Sequence, residues 1–167
     1  MSDEAPPRQL LNWVPRLRRY ARALAGNPSD ADDLVQDTLE RAWTRAALWP
    51  GVLDMRAWLF GIMHNLHVDG LRRARPGMQE LAEDEPAAPA VDRLVLRDLA
   101  AALELLPAEQ KEVLLMVALE DMSYAEVAQA LGIPVGTVMS RLSRGRERLR
   151  SLMAGRAGPV HLKVVRQ

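Results

Sequence analysis

The segment MSYAEVAQALGIPVGTVMSRLSRGRERLR, residues 122–150, has the pattern of two short helices joined by a tight turn. Ser123 and Glu126 have the spacing of a capping box, which predicts that the first helix begins directly after this serine. Gly132 is suited to end that helix in the left-handed conformation, and Pro134 then allows a second helix to start. The segment therefore predicts a helix-turn-helix.

The second helix of this motif combines one apolar side with a broad basic surface. Such a helix fits the major groove of DNA, where its first turns face base edges and its arginines reach phosphates. The alternative is an amphipathic surface helix with a solvated basic side, but the cap, the turn and the short first helix together favour DNA binding. The positions predicted to be buried are Val135, Val138, Leu142 and Leu149.

The composition favours a helical protein. Hydrophobic residues make up 49% of the chain and aromatic residues only 4%, which favours helices packed on helices over sheets. The chain has no cysteine, which excludes disulfides and thiolate metal sites and is typical of cytoplasmic proteins. No apolar run approaches the ~20 residues that a bilayer requires, and the polar start MSDEAPPRQ is not a signal-peptide pattern. We therefore expect a cytoplasmic protein with no membrane insertion and no cofactor.

Charge is distributed unevenly although the formal net charge is zero. Residues 135–156 contain six arginines and one glutamate, whereas residues 30–40 contain five acidic residues and no basic residue. Such segregation predicts that different surfaces of the protein meet different partners.

An acidic segment with two prolines, GMQELAEDEPAAPA at residues 77–90, divides the chain and is typical of a flexible linker. We expect an all-α fold of two small helical domains on either side of it, and no function is predicted for the tail, residues 155–167. The helices are predicted at about 9–25, 29–47 and 54–75 before the linker, and at about 91–105, 107–120, 123–131 and 135–154 after it.

Three motifs in order resemble the extracytoplasmic-function (ECF, group 4) sigma factors of RNA polymerase, members of the sigma-70 family. They are DADDLVQDTLERAW (30–43), RAWLFGIMHNLHVDGLRR (56–73), and LPAEQKEVLLM (106–116) followed by the segment quoted first. The opening VPRLRRYARALAGN (14–27) also resembles the alphaproteobacterial general-stress branch. The resemblance implies sigma domain 2 over 9–76 and sigma domain 4 over 91–154.

The resemblance implies that the acidic second helix docks on the clamp helices of the polymerase β′ subunit, and that the β flap is a further contact. Acidic residues in a first helical turn also suit the helix dipole, so solvated capping is the alternative. Complementary charge would speed and orient the encounter with polymerase. The candidate polymerase-binding residues are Asp30, Asp33, Gln36, Asp37 and Glu40.

The third helix resembles the family's minus-10 reading and strand-opening helix. Asn65 lies where the family places a polar contact to an extruded base, and the arginines after it are candidates for phosphate contacts. Arginines at a helix C-terminus are also favourable by themselves, so helix stabilisation is the alternative. The candidate minus-10 residues are Asn65, Asp69, Arg72, Arg73 and Arg75. His64 and His67 have a spacing that could hold a metal, but no third ligand is nearby in the sequence.

The resemblance assigns minus-35 recognition to the last helix. Met139 stands where the family often has a basic residue, which leaves the base preference open. Gly136 permits either a close approach to phosphate or tight packing against the preceding helix, and the sequence does not distinguish these roles. The candidate minus-35 residues are Gly136, Thr137, Met139, Ser140, Arg141, Ser143, Arg144 and Arg148.

Three functions remain open at this point. A sigma factor would be non-catalytic and would bind core RNA polymerase and promoter DNA. The resemblance further implies control by an anti-sigma factor in a stress or envelope response, one that holds the two domains folded together. A stand-alone helix-turn-helix regulator would leave the acidic helix unused and would normally dimerise on a two-fold operator. A small helical metalloenzyme would need His64 and His67 as ligands, without a carboxylate–histidine motif to support them.

Overall fold

The computed structural model describes residues 6–73 and 90–156, and all of the regular structure in these ranges is helical. The linker predicted at 77–90 lies outside the described residues except for Ala90, as do Arg75 and the tail from residue 157. The first domain contains α1 (Pro6–Leu11), α2 (Val14–Ala25), α3 (Pro28–Thr44), a 3-10 helix (Ala46–Gly51) and α4 (Met55–Arg73). The second domain contains α5 (Ala90–Glu104), α6 (Ala108–Ala118), α7 (Tyr124–Leu131) and α8 (Val135–Arg156).

The prediction of a single first helix over 9–25 is wrong, because the helix is interrupted at Asn12 and Trp13, which separate α1 from α2. Pro15 has no N–H group, so it is tolerated only in the first turn of a helix and forces a new start there. The N–H of Trp13 closes a turn on the carbonyl oxygen of Leu10 at 3.0 Å. The N–H of Leu17 then donates to the carbonyl oxygen of Trp13 at 2.9 Å as α2 begins.

The start of α3 also differs from the predicted start at 29, since Asn27 is the capping residue and Pro28 is the first residue of the helix. The side-chain oxygen of Asn27 accepts a hydrogen bond from the N–H of Asp30 at 2.9 Å. Pro28 occupies the first helical position, where no N–H is needed. The helix ends at Thr44, before the predicted 47, and the 3-10 helix that follows buries Trp49.

The helix-turn-helix is confirmed in its caps and its turn. The hydroxyl of Ser123 accepts from the N–H of Glu126 at 3.2 Å, and the carboxylate of Glu126 accepts from the N–H of Ser123 at 2.7 Å. Gly132 ends α7 with φ of 64°. Val138 and Leu142 are buried as predicted and Leu149 is half-buried, but the expectation for Val135 is wrong. Val135 is 43% exposed because it is the first residue of α8, before the buried side begins.

The two domains pack against each other, so that one apolar core runs through both. In the first domain, Tyr20 and Phe60 make an edge-to-face contact with ring centroids 4.9 Å apart. Helix α2 lies against α6, and α4 lies against α7. The fold therefore consists of two helical domains with an extensive interface between them. We call this arrangement closed, and an arrangement without the interface open. Fully buried side chains include Leu17, Tyr20, Leu59, Phe60 and Met63 in the first domain, and Val113, Met116, Val127 and Val138 in the second.

Replacing Tyr20 with phenylalanine should leave the free energy of unfolding unchanged or raise it by about 1 kcal/mol. The Tyr20 hydroxyl is buried and has no hydrogen-bond partner among the described residues. Burial and the nearby carboxylates of Glu112 and Glu120 raise its pKa well above the usual value, so it remains neutral. Urea denaturation of wild type and Tyr20→Phe measures the difference, and Tyr20→Leu, which loses the ring contact, should be clearly destabilised. A loss of more than 1 kcal/mol in Tyr20→Phe would show that the hydroxyl has a partner.

Candidate nucleic-acid and protein interfaces

The candidate polymerase-binding residues all lie on the exposed side of α3. Its buried residues, among them Leu34 and Thr38, recur every three or four positions and face the core. The acidic residues occupy the opposite arc of the helix, as the sequence predicts. This arc does not form one uniform surface, because it borders two grooves of different character. The exposed candidates are Asp30, Asp33, Gln36, Asp37 and Glu40.

The first groove lies between α3 and the helices α1 and α2, and it is mainly apolar. It has a volume of about 790 Å³ and is bordered by Gln36 and Glu40 of the predicted set. Trp43 is 51% exposed and Leu11 is 64% exposed at its rim. No sequence pattern identifies either residue as a surface feature. The apolar lining residues are Leu10, Leu11, Val14, Val35, Leu39 and Trp43.

The second groove lies between the start of α3 and the end of α4, has a volume of about 310 Å³, and is acidic. Asp30, Asp33 and Asp37 line it opposite Leu71 and His67. Burial lowers the pKa of His67, so its ring is neutral at physiological pH and does not offset the carboxylates. Asp30 is partly engaged in capping, because its carboxylate accepts a hydrogen bond from the Asn27 amide at 2.7 Å.

The described minus-10 candidates share one side of α4. Asp69, Arg72 and Arg73 follow Asn65 at intervals of four, three and one residues, which places them on neighbouring positions of the helix surface. All four side chains are exposed. Arg75 lies outside the described residues. The candidates form a polar strip that is acidic only at Asp69 and basic at its end.

Asn65 borders a cavity of about 420 Å³ that no sequence pattern indicates. Its other walls come from Arg45, from residues 51–54 at the end of the 3-10 helix and after it, and from Trp58. The second domain closes part of the cavity with Gln129 and Ala130 of α7. The Pro50-Gly51 dipeptide was the one local signal for a turn at this point, and no short-range pattern indicates the contribution of α7.

Helix α8 directs most of the minus-35 candidates away from its buried side. Val138, Leu142 and Gly145 are buried, and the exposed candidates lie on the opposite half of the helix. Arg141 differs, since it is partly buried and lies 3.6 Å from the exposed carboxylate of Glu109 on α6. The exposed candidates are Gly136, Met139, Ser140, Ser143, Arg144 and Arg148, and Thr137 is half-buried.

Of the two roles that the sequence leaves open for Gly136, tight packing against α7 and close approach to phosphate, the structure does not support the packing role. A Cβ atom built on Gly136 meets nothing within 4 Å, so tight packing against α7 does not require a glycine here. The close packing is instead at Gly145, where a Cβ atom would lie 3.4 Å from the Cβ atom and the carbonyl oxygen of Gln110. Gly136 therefore leaves open space at the start of α8, beside the predicted DNA-binding side chains.

His64 and His67, the two histidines considered as metal ligands, have different surroundings. His67 lines the acidic groove described above. Nδ1 of His64 lies 2.6 Å from Oε1 of Glu112 on α6, so this imidazole bridges the two domains. Among residues 6–73 and 90–156, no group of three histidine, aspartate or glutamate side chains is arranged to hold a metal ion. None of the helices in these ranges is long and apolar enough to cross a bilayer.

Comparisons with known proteins match both domains. The model of the sigma2 domain of PhyR matches residues 10–64. The model of sigma-70 region 4 matches residues 96–149. The "ECF RNA polymerase sigma factor EcfG" of Rhodopseudomonas palustris (strain TIE-1) is 35% identical over 151 residues, which is 86% of this chain and 82% of that protein.

Two solved structures are similar over both domains at once. The sigma factor RpoE of Bartonella quintana, in complex with the anti-sigma factor NepR, is 32% identical with a TM-score of 0.75, covering 89% of this chain and 96% of that chain. CnrH, in complex with the cytosolic domain of CnrY, is 31% identical with a TM-score of 0.66, covering 90% of this chain and 91% of that chain. Sequence, fold and domain order therefore agree, and the chain belongs to the extracytoplasmic-function sigma factors of RNA polymerase.

Proposed function

We propose that this sigma factor acts without catalysis of its own, in the bacterial cytoplasm, by bringing core RNA polymerase to promoter DNA. The outward side of α8 carries the proposal. It presents small polar side chains and arginines on a helix-turn-helix whose caps and turn are formed, in a chain of the sigma family. A solvated basic surface alone would not require this capped motif.

The proposed domain limits are 9–76 for sigma domain 2 and 91–154 for sigma domain 4, with residues 77–90 as the linker. Each domain then has its own DNA surface. α4 belongs to the first domain and α8 to the second, so two separated promoter elements are contacted by one chain. An acidic, proline-containing segment at 77–90 suits this division, because a linker of this composition would set only the distance that the domains can span.

Helix α8 is proposed to enter the major groove at the minus-35 element. Ser140 and Thr137 lie in its first turns, where a recognition helix meets base edges. Arg144 and Arg148 follow on the exposed side, and we propose that they contact phosphates or make bidentate contacts to guanine. Gly136 leaves room for close approach of the DNA backbone at the helix start.

Helix α4 is proposed to hold the opened minus-10 strand. Extruding a base costs a few kcal/mol, and a pocket with polar groups and a stacking surface recovers that cost. Asn65 stands at the cavity described above, with Trp58 in its wall. Arg72 and Arg73 then follow along the same side as phosphate contacts, and Arg75 is proposed to continue this set.

Helix α3 is proposed to bind the clamp helices of the β′ subunit, and the second domain is proposed to reach the β flap. The outward side of α3 combines acidic residues with the apolar groove around Trp43 and Leu11. Protein interfaces typically have an aromatic centre with a polar rim, and this side of α3 has that composition. Gln36 and Glu40 then form the rim of the apolar groove.

An anti-sigma factor is the proposed regulator, in a stress or envelope response. RpoE of Bartonella quintana is bound to NepR and CnrH is bound to CnrY in the structures compared above. The match to RpoE covers both domains of this chain with one superposition. The closed arrangement seen here is thus similar to that of a sigma factor held by its anti-sigma factor.

Reversing Asp33 and Asp37 to lysine should weaken binding to core polymerase at least tenfold while leaving the fold intact, because both side chains are exposed. Binding is measured in the absence of DNA by fluorescence anisotropy of the labelled chain. The single variant Asp37→Lys is also measured, with Asp69→Lys as its matched control. Asp69→Lys makes the same charge change at an exposed position of another helix of the first domain. Equal affinity of the Asp37 and Asp69 variants would contradict the assignment of the acidic side of α3.

Asn65→Ala and Arg144→Ala should fail at different stages of initiation. Arg144→Ala should weaken binding to upstream duplex, by ~1–3 kcal/mol if the arginine contacts a base. Asn65→Ala should leave that binding intact and reduce transcription from closed duplex. A premelted template removes the cost of opening, so it should rescue part of the Asn65→Ala defect and none of the Arg144→Ala defect.

The experiment compares transcription from duplex and premelted templates for wild type and both variants, together with duplex binding at several salt concentrations. A pure phosphate contact at Arg144 would lower affinity for all sequences and flatten the salt dependence. Identical behaviour of the two variants on both templates would overturn the division of labour between α4 and α8.

A further inference from the structure

Glu120, between α6 and α7, is the centre of the contact between the two domains. Its side chain is 0% exposed, and both carboxylate oxygens accept hydrogen bonds from arginines of α2. Nε of Arg16 donates to Oε2 at 2.9 Å, and a terminal nitrogen of Arg19 donates to Oε1 at 2.9 Å. The carboxylate is therefore neutralised by the first domain while it belongs to the second.

The same arginines also satisfy backbone groups at the end of α6. Arg19 donates to the carbonyl oxygen of Leu119 at 2.8 Å, and Arg16 donates to the carbonyl oxygen of Glu120 at 3.1 Å. Arg56 of α4 donates to the Glu120 carbonyl at 3.3 Å and also pairs with Glu126 of α7. The last carbonyls of a helix have no partner within the helix and attract cations. The first domain thus supplies the cap of a helix in the second.

Other interdomain contacts are close enough to fix the arrangement. Nζ of Lys111 donates to the carbonyl oxygen of Leu24 at 2.9 Å. At the crossing of α4 and α7, a Cβ atom built on Gly61 would lie 3.0 Å from the carbonyl oxygen of Ala130. Only a residue without a side chain allows the backbones to approach this closely without displacement. The closed arrangement therefore depends on Gly61 as well as on the ion pairs.

Closure also covers one side of the cavity beside Asn65. Gln129 and Ala130 of α7 form a wall of this cavity, although both belong to the second domain. When the domains separate, α7 moves away from α4, and the side of the cavity formed by Gln129 and Ala130 becomes open to solvent. A DNA strand entering beside Asn65 would meet α7 in the closed chain.

We propose that Glu120 with Arg16, Arg19 and Arg56 forms an interdomain latch, which keeps the free sigma factor closed with α7 over the Asn65 cavity and which opens when core polymerase binds. The part that concerns polymerase rests on the proposed function. The latch itself is a property of the free chain. Without its arginine partners, the carboxylate of Glu120 would be buried and unpaired in the closed form, whereas water solvates it in the open form. Loss of these arginines therefore favours the open form.

Energy transfer between two dyes measures closure directly. The chain contains no cysteine, so cysteines introduced at Ala47 and Ser151, which are exposed and outside the latch, carry the dyes. Replacing Arg16 and Arg19 together with alanine should raise the open fraction of the free chain at least tenfold, as should Glu120→Ala. Arg18→Ala is the matched control, because Arg18 lies on the same helix but is directed toward Asp32 within the first domain, 3.9 Å away.

A wedge at the crossing of α4 and α7 gives a second test that does not change the ion pairs. Gly61→Gln should open the chain, whereas Gly70→Gln on the same helix should not, because a Cβ atom on Gly70 meets nothing within 4 Å. Helical circular dichroism confirms that each variant is folded. If Glu120→Ala loses its helical signal, the arginine variant decides, since its changes lie in the other domain.

Unchanged transfer in the folded Arg16→Ala/Arg19→Ala variant would overturn the latch. Core polymerase added to the labelled wild-type chain should lower the transfer as binding is detected by anisotropy. Transfer that stays at the free-chain level in the bound complex would overturn opening by polymerase. Absence of binding would instead contradict the proposed function, and the comparison of free chains would still decide on the latch.

Discussion

The burial of one carboxylate, that of Glu120, links the two halves of this molecule. A charged group without water must be neutralised and hydrogen-bonded nearby. Here the required cations come from helices about 60 to 100 residues away along the chain. This group is therefore satisfied only while the two domains are in contact, and one apolar cluster that includes Tyr20 and Phe60 extends through both domains.

The local signals of the sequence were sufficient for most helices. The capping box at Ser123 and the left-handed glycine at 132 each act over one or two turns, and both are confirmed. The apolar spacing of α8 is confirmed at Val138 and Leu142 but not at Val135. The two errors at helix starts have one origin. Pro15 and Pro28 each fix the first turn of a helix, and at Pro15 this effect divides the helix predicted over 9–25.

Long-range contacts were beyond what spacing could indicate. Nothing near Glu120 in the sequence predicts that a glutamate will be fully buried, because its partners Arg16 and Arg19 read as ordinary surface arginines of α2. Likewise, Asn65 was predicted from its family position, but the cavity beside it includes Ala130 of another helix. The candidates on α3 and α8 were predicted from their charge, polarity and family position, and the structure adds the apolar groove at Trp43 that no acidic pattern reveals.

The division of the α3 surface into an apolar and an acidic groove has a consequence for the response to ionic strength. Dissolved salt screens carboxylates such as Asp33 and Asp37 over a Debye length of about 8 Å at physiological concentration, but it hardly affects burial of Trp43. A partner that uses both grooves would associate more slowly as salt rises, while its residence time would change little. A rise in ionic strength would then alter how quickly a complex forms on this helix more than how long the complex lasts.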